Sequence, residues 1–218
     1  MQTHLLKTSR TARLLQHGSL NVDTKLVWIA AHGYGMDIKH FAKWFSPLCS
    51  PHAILCPEGL SRFYWGGFSG KPAASWMTST ERLSEIEDFC TWMDQVYAFA
   101  KTEAPNARVV CFGFSQGAAT IMRWLQASLK ECHRIILWSG TPPEDISYPA
   151  IIFPSEKLIS YWGEDDQLVA WSKAKVRFDE VQLPFEHRFF NGGHRIEAEP
   201  LSALAAEILA GLNESDRL

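Results

Sequence analysis

Apolar residues along this 218-residue chain fall into short uninterrupted runs that alternate with stretches of helical period. Within Val22 to Ala31, Leu26-Val27-Trp28-Ile29-Ala30-Ala31 is apolar throughout and stops at His32-Gly33-Tyr34-Gly35. A run of this kind reads as a strand buried on both faces. Ala53-Ile54-Leu55-Cys56, stopped by Pro57, and Arg108-Val109-Val110-Cys111-Phe112 read the same way. Arg134 to Trp138, Leu158 to Trp162 and Phe185 to Phe190 are further strands. Helical patterns lie between them: Asp37 to Phe45, closed by Pro47, and Thr80 to about Glu103. The second presents Leu83, Ile86, Phe89, Met93, Val96, Tyr97 and Ala100 on one face, with Thr78 and Glu81 spaced as a capping box at its start. Ala118, Ile121, Met122, Leu125 and Leu129 recur at steps of three and four, and helices follow at about Asp166 to Glu180 and Ile196 to Leu212.

Strands alternating with helices predict βαβ crossovers, hence an α/β fold with a mostly parallel central sheet and helices on both faces. The length suits one domain over residues 1–218, and no insertion is long enough for a separate cap domain. Leu14-Leu15 and Gly18, within Leu5 to Leu20, predict an antiparallel edge hairpin.

Composition narrows the picture mainly by exclusion. A hydrophobic share of 46% with 21% charged residues describes an ordinary soluble protein, and a net charge of −3 gives no reason to expect nucleic acid or an anionic membrane surface. No apolar run approaches a membrane span, so stable membrane insertion is not expected. Met1 to Lys7 lacks the basic and apolar regions of a signal peptide. Cys49, Cys56, Cys90, Cys111 and Cys132 are scattered without a C-x-x-C pair, which indicates neither a disulfide framework nor a zinc site. These features together predict a cytoplasmic protein. Nine tryptophans are unusually many, and most lie in strand or helix patterns, where core packing explains them.

The chemistry centres on Gly113-Phe114-Ser115-Gln116-Gly117. A G-x-S-x-G arises by chance in about one chain of this length in fifteen, but this one lies between a strand pattern and a helix pattern. Strand, sharp turn and helix form the context of a nucleophile elbow. A serine hydroxyl needs a base to remove its proton during attack. The glycines allow strand and helix to pass closely, and the Gln116 N–H, at the start of a helix, is an orphan donor able to face an oxyanion. The alternative is a Gly-Ser turn with an ordinary helix cap.

In an open parallel sheet, ligands bind beyond the carboxyl ends of the strands. Gly163-Glu164-Asp165-Asp166-Gln167-Leu168-Val169 follows one later strand, and Asn191-Gly192-Gly193-His194 follows another. Serine, carboxylate and imidazole therefore appear in the chain order of hydrolase triads. His194 is the candidate base, with Asp165 and Asp166 both candidates for the acid that orients it. His187, inside a strand, is a rival base, and the turn His32 to Gly35 stands where a second oxyanion donor belongs.

Ala31-His32-Gly33-Tyr34-Gly35, the elbow with its Ser-Gln pair, Gly163 to Val169 and Gly193-His194 together resemble the phospholipase/carboxylesterase family of α/β-hydrolases. That family includes acyl-protein thioesterases and small bacterial carboxylesterases, and the resemblance runs from about Lys25 to His194. It implies the α/β-hydrolase fold and a Ser115-His194-Asp166 triad, the acid being selected by the pattern G-x-x-D-x-x-V. It also implies Tyr34 and Gln116 as oxyanion donors. The sequence departs from the thioesterases after Pro57-Glu58-Gly59, where an aromatic, glycine-rich stretch runs through Trp76. Phe63, Tyr64, Trp65 and Trp76 are the candidate substrate-binding residues, either as a wall of an acyl pocket or as a plug on the core. Ser69, in Gly67-Phe68-Ser69-Gly70, lacks a preceding strand and is discounted as a nucleophile.

The expectation is a serine esterase acting on short- to medium-chain carboxylic esters through an acyl-enzyme, needing no metal or cofactor. Its partner is a small-molecule ester, and the aromatics leave a homodimer open. The alternatives are an acyl thioesterase or lysophospholipase, and a catalytically silent ligand-binding scaffold.

Overall fold

A computed structural model describes residues 1–48 and 51–215. Cys49 lies outside the described residues. Seven strands form the main sheet: β1 (Leu14–His17), β2 (Leu26–Ala31), β3 (His52–Pro57), β6 (Arg108–Phe114), β7 (Arg134–Trp138), β8 (Leu158–Gly163) and β9 (Glu186–Phe190). Their order is β1-β3-β2-β6-β7-β8-β9. Every pairing is parallel except that of β1 with β3. β4 (Ser61–Trp65) and β5 (Lys71–Ser75) form a separate antiparallel hairpin. The helices are α1 (Ile38–Lys43), α2 (Arg82–Glu103), α3 (Gln116–Ser128), α4 (Trp171–Val181) and α5 (Ala198–Ser215).

Successive strand residues point to opposite faces of a sheet, and the core divides accordingly. Val27, Ile29, Ala31, Val109, Cys111, Ile135 and Leu137 pack with Phe89 and Met93 of α2, Ile121 of α3 and Phe178 of α4. The intervening Leu26, Trp28, Ala30, Val110, Phe112, Ile136 and Trp138 pack with Phe41 of α1 and Leu204 and Ile208 of α5. Both faces of the central strands are thereby covered, which is why their sequences are apolar at every position rather than at every second one. Trp28, Trp76, Trp124, Trp138 and Trp162 are among the largest fully buried side chains.

Four expectations change. The first strand is an edge strand but not half of a local hairpin: Leu14 to His17 pair with Ile54 to Pro57, across a long stretch of sequence. The long helix begins at Arg82, after Glu81 in a left-handed conformation (φ 51°). The acid that closes back on Thr78 is therefore Glu85, accepting from the Thr78 N–H at 2.5 Å and its hydroxyl at 2.9 Å. Leu83 and Leu129, assigned to apolar faces, are exposed: Leu83 lies in the first turn of α2 and Leu129 is the left-handed C-cap of α3. Finally, α4 begins only at Trp171, because Asp166 to Val169 form a side-chain-closed turn ahead of it.

Candidate functional site

The strand order reverses around β2, which is followed in sequence by β3 on one side and paired with β6 on the other. This is the switch point at which open α/β sheets bind ligands. Ala31 at the end of β2 is in register with Gly113 of β6, so the His32 turn and the Ser115 turn leave the sheet side by side.

Ser115 occupies φ 52°, ψ −116° between the last residue of β6 and the first of α3. A non-glycine residue held there costs about 1–3 kcal/mol, and surrounding structure must hold it in place. The Ser115 N–H donates to the Trp138 carbonyl at 2.9 Å, and Ala118 N–H donates back to the Ser115 carbonyl at 3.0 Å. Close packing requires glycine on three sides. A Cβ on Gly113 would lie 2.5 Å from the Ala118 Cα, and one on Gly117 would lie 2.1 Å from the Ala31 carbonyl oxygen. One on Gly140 would lie 2.4 Å from the carbonyl oxygen of Ser115 itself. Gly140 was not singled out from the sequence; the Ser-Gly pair directly after the apolar run to Trp138 was the available signal.

The loops after β8 and β9 are tied to one another. Asp165 N–H donates to the Gly192 carbonyl and Glu164 N–H to that of Phe190, at 2.9 and 3.0 Å. A Cβ on Gly163 would collide with the Gly192 and Gly193 carbonyls. This lacing brings His194 Nδ1 to 2.8 Å from Asp166 Oδ2. The Asp166 side chain is fully buried, and its Oδ1 accepts from the Leu168 and Val169 N–H groups at 3.0 Å each. Its oxygens are thus fixed by the backbone on one side and the imidazole on the other. Asp165 contributes only its backbone, with an exposed side chain. His194 packs at a tilt against Phe114, the residue that precedes Ser115, with ring centroids 5.0 Å apart. With Nδ1 donating to a carboxylate, Nε2 is the nitrogen left to act as a base.

His187 has other work. Its Nδ1 lies 2.6 Å from the Ser160 hydroxyl, and its ring packs against Trp171 and Phe178. Burial lowers its pKa.

Beyond β2, Gly35 (φ 67°) donates its N–H to the Ala74 carbonyl at 2.9 Å, and Gly33 N–H faces the Met36 sulfur at 3.3 Å. Among the described residues, the Tyr34 and Gln116 N–H groups between and beside these have no acceptor within the protein. The Gln116 amide ties the elbow to the end of β5, accepting from Trp76 N–H at 3.3 Å and donating to the Met77 carbonyl at 3.1 Å. His32 holds the opposite turn from within. Its Nδ1–H donates to the Gly33 carbonyl at 2.7 Å while Nε2 accepts the Gly59 N–H at 2.9 Å. That arrangement needs a neutral ring, and burial pushes its pKa down to about 4.

The four aromatic candidates separate. Tyr34 lies within 5.7 Å of the Phe63 ring and 5.9 Å of the Trp65 ring, and Trp65 covers Gly35. Tyr64, between them on the strand, is exposed on the other face of the hairpin. Trp76 is elsewhere: it is 1% exposed, packs on His32 and Phe89, and donates its Nε1–H to the His32 carbonyl at 2.9 Å. It braces the turn from the core and offers no free face to a ligand. With Trp76, just after the hairpin, turned into the core, Phe63 and Trp65 are the aromatics beside Tyr34.

Sheet order, antiparallel first strand, elbow and post-strand loops define an α/β-hydrolase fold. No protein-family model matches the chain, and no curated protein matches it in sequence. Solved structures do match. Acyl-protein thioesterase 2 from Zea mays superposes with a TM-score of 0.70 at 17% identity, over 93% of this chain and 100% of that one. A Bacillus cereus carboxylesterase gives 0.62 at 14% identity, over 90% and 93%. A phospholipase/carboxylesterase from Dyadobacter fermentans gives 0.61 at 16% identity, over 93% and 99%. At these identities the likeness is one of fold.

Proposed function

We propose that this protein is a serine esterase that hydrolyses short- to medium-chain carboxylic esters. The observation that carries the reading is a strained Ser115 at the end of β6, at the same edge of the sheet as the His194–Asp166 pair at 2.8 Å. His194 Nε2 accepts the Ser115 proton as its oxygen attacks the ester carbonyl, and Asp166 holds the tautomer and stabilises the imidazolium. The Tyr34 and Gln116 N–H groups bond the oxyanion that develops. Collapse of the tetrahedral species expels the alcohol, which takes the proton from His194. Water, deprotonated by the same imidazole, then releases the acid and regenerates Ser115. Phe63 and Trp65 form the apolar side on which the acyl chain lies.

The test is hydrolysis of p-nitrophenyl esters of increasing chain length, with Ser115→Ala as control. Turnover that depends on Ser115 and peaks at short to medium chains supports the reading; turnover that persists in the variant overturns it. The likeness to the maize thioesterase supports a second reading, in which the same machinery acts on acyl thioesters. Rates on thioesters and oxygen esters of matched chain length separate the two. An inert protein that also fails to react with a labelled fluorophosphonate is instead a silent binding scaffold.

A further inference from the structure

We infer that a second site, for a small oxyanion of the phosphate class, lies at the opposite end of the sheet from Ser115. A cavity of about 220 Å³ opens where β6, β7 and β8 begin. Arg108 is the first residue of β6, His133 directly precedes β7, and Lys157 directly precedes β8; Lys101, near the end of α2, completes the basic wall. Glu131 is the one carboxylate in the lining. β6 has seven residues, and at about 3.3 Å per residue the cavity is on the order of 20 Å from the elbow.

The wall is positive and partly pre-ordered. Lys101 Nζ donates to the Pro105 and Ala107 carbonyls at 2.6 and 3.1 Å, which holds its charge at the rim. The His133 backbone is pinned by its N–H to the Val109 carbonyl at 2.6 Å. Among the described residues, the His133 Nε2 is buried without a hydrogen-bond partner, whereas buried polar atoms are normally bonded. Its imidazole is pushed down to about 4, first by burial and then by the neighbouring cations Arg134, Arg108 and Lys157. With the imidazole neutral, Arg108 and Lys157 beside Lys101 carry the positive charge of the lining, and that charge is complementary to an anion. The volume lies below the ~300–1,000 Å³ of pockets for larger organic ligands. Several cationic groups converging on a small space suit a tetrahedral dianion better than a monovalent ion.

Calorimetric titration with inorganic phosphate and with glycerol phosphate, against chloride at matched ionic strength, tests the site. Saturable binding of either phosphate is expected, weakened about tenfold or more in the Arg108→Gln/Lys157→Gln variant, a loss of about 1.4 kcal/mol or more. Tighter binding of glycerol phosphate identifies an organic monoester as the ligand, and tighter binding of inorganic phosphate the free ion. In parallel, the imidazole resonance of His133 in the unaltered protein is titrated by NMR. Bound phosphate stabilises the imidazolium, so its midpoint rises above that measured in chloride. The NMR result decides the matter if the double variant does not fold. Heats that chloride reproduces, a variant that binds as tightly as the original, or a His133 midpoint indifferent to phosphate each overturn the proposal.

Discussion

Asp165 and Asp166 are adjacent in sequence, yet only Asp166 has its carboxylate buried against His194. Asp166→Asn should therefore lower turnover by on the order of 10⁴: the amide oxygen stays with the Leu168 and Val169 N–H groups, the NH2 donates to Nδ1, and the required tautomer is lost. Asp165→Asn should leave turnover within a small factor, and comparing kcat for the two variants on one ester checks the assignment. Ser115→Ala and His194→Ala should each remove nearly all turnover with unaltered circular dichroism. The serine and histidine were legible from their places after strand patterns. The choice between the two aspartates was not legible from spacing and rested on family resemblance. Trp76 shows the converse: it reads as one more aromatic of the substrate stretch, but its N–H finds the His32 carbonyl inside the core.

At the scale of elements, the elbow depends on how closely α3 approaches β2. Gly117→Ala places a methyl 2.1 Å from the Ala31 carbonyl oxygen, a backbone atom with no rotamer to yield. The expected cost is about 1–3 kcal/mol or more, read as a lower midpoint in urea, together with lost turnover as Ser115 shifts. The β4–β5 hairpin invites a different experiment. Trp65 is half-exposed and covers Gly35, so Trp65→Ala should change stability little. It should raise KM for longer esters more than for acetate, and an unchanged chain-length profile would place the acyl chain elsewhere. The hairpin itself was hidden in the sequence: Ser61 to Ser75 lacks a strict alternation of apolar and polar residues. Its pairing is stitched by β4 against β5 and by Met36 against Ala74, contacts that no local pattern announces.

For the molecule as a whole, buried His32 links folding to pH. Its pKa in the folded chain is about 4, below the ordinary value of 6.5. Between these values the unfolded chain binds the proton and the folded chain does not, so stability falls as pH drops from about 6.5 toward 4. A shift of this size corresponds to about 3 kcal/mol for one group. Urea midpoints measured across this range should decline in the unaltered protein and more shallowly in His32→Gln. Equal slopes would show that other groups carry the effect. His32 also shows why the pH sensitivity was not legible: beside Gly33 it reads only as part of a turn, and its burial comes from Phe41 across the following turn and from Trp76, distant in sequence.

By itself the sequence determined the alternation of strands and helices, the positions of the central strands and the order of serine, acid and histidine. Those follow from local rules: apolar runs where a strand is buried on both faces, helical period elsewhere, glycine at the tight turns. Only the tertiary structure decided that β1 joins β3, that the aromatic stretch is a hairpin, that Trp76 lies within the core and that Asp166 reaches His194. It also gathered Lys101, Arg108, His133 and Lys157 around one cavity. Each of these depends on which distant segments become neighbours, and the parallel sheet decides that by carrying the starts and ends of its strands to opposite edges.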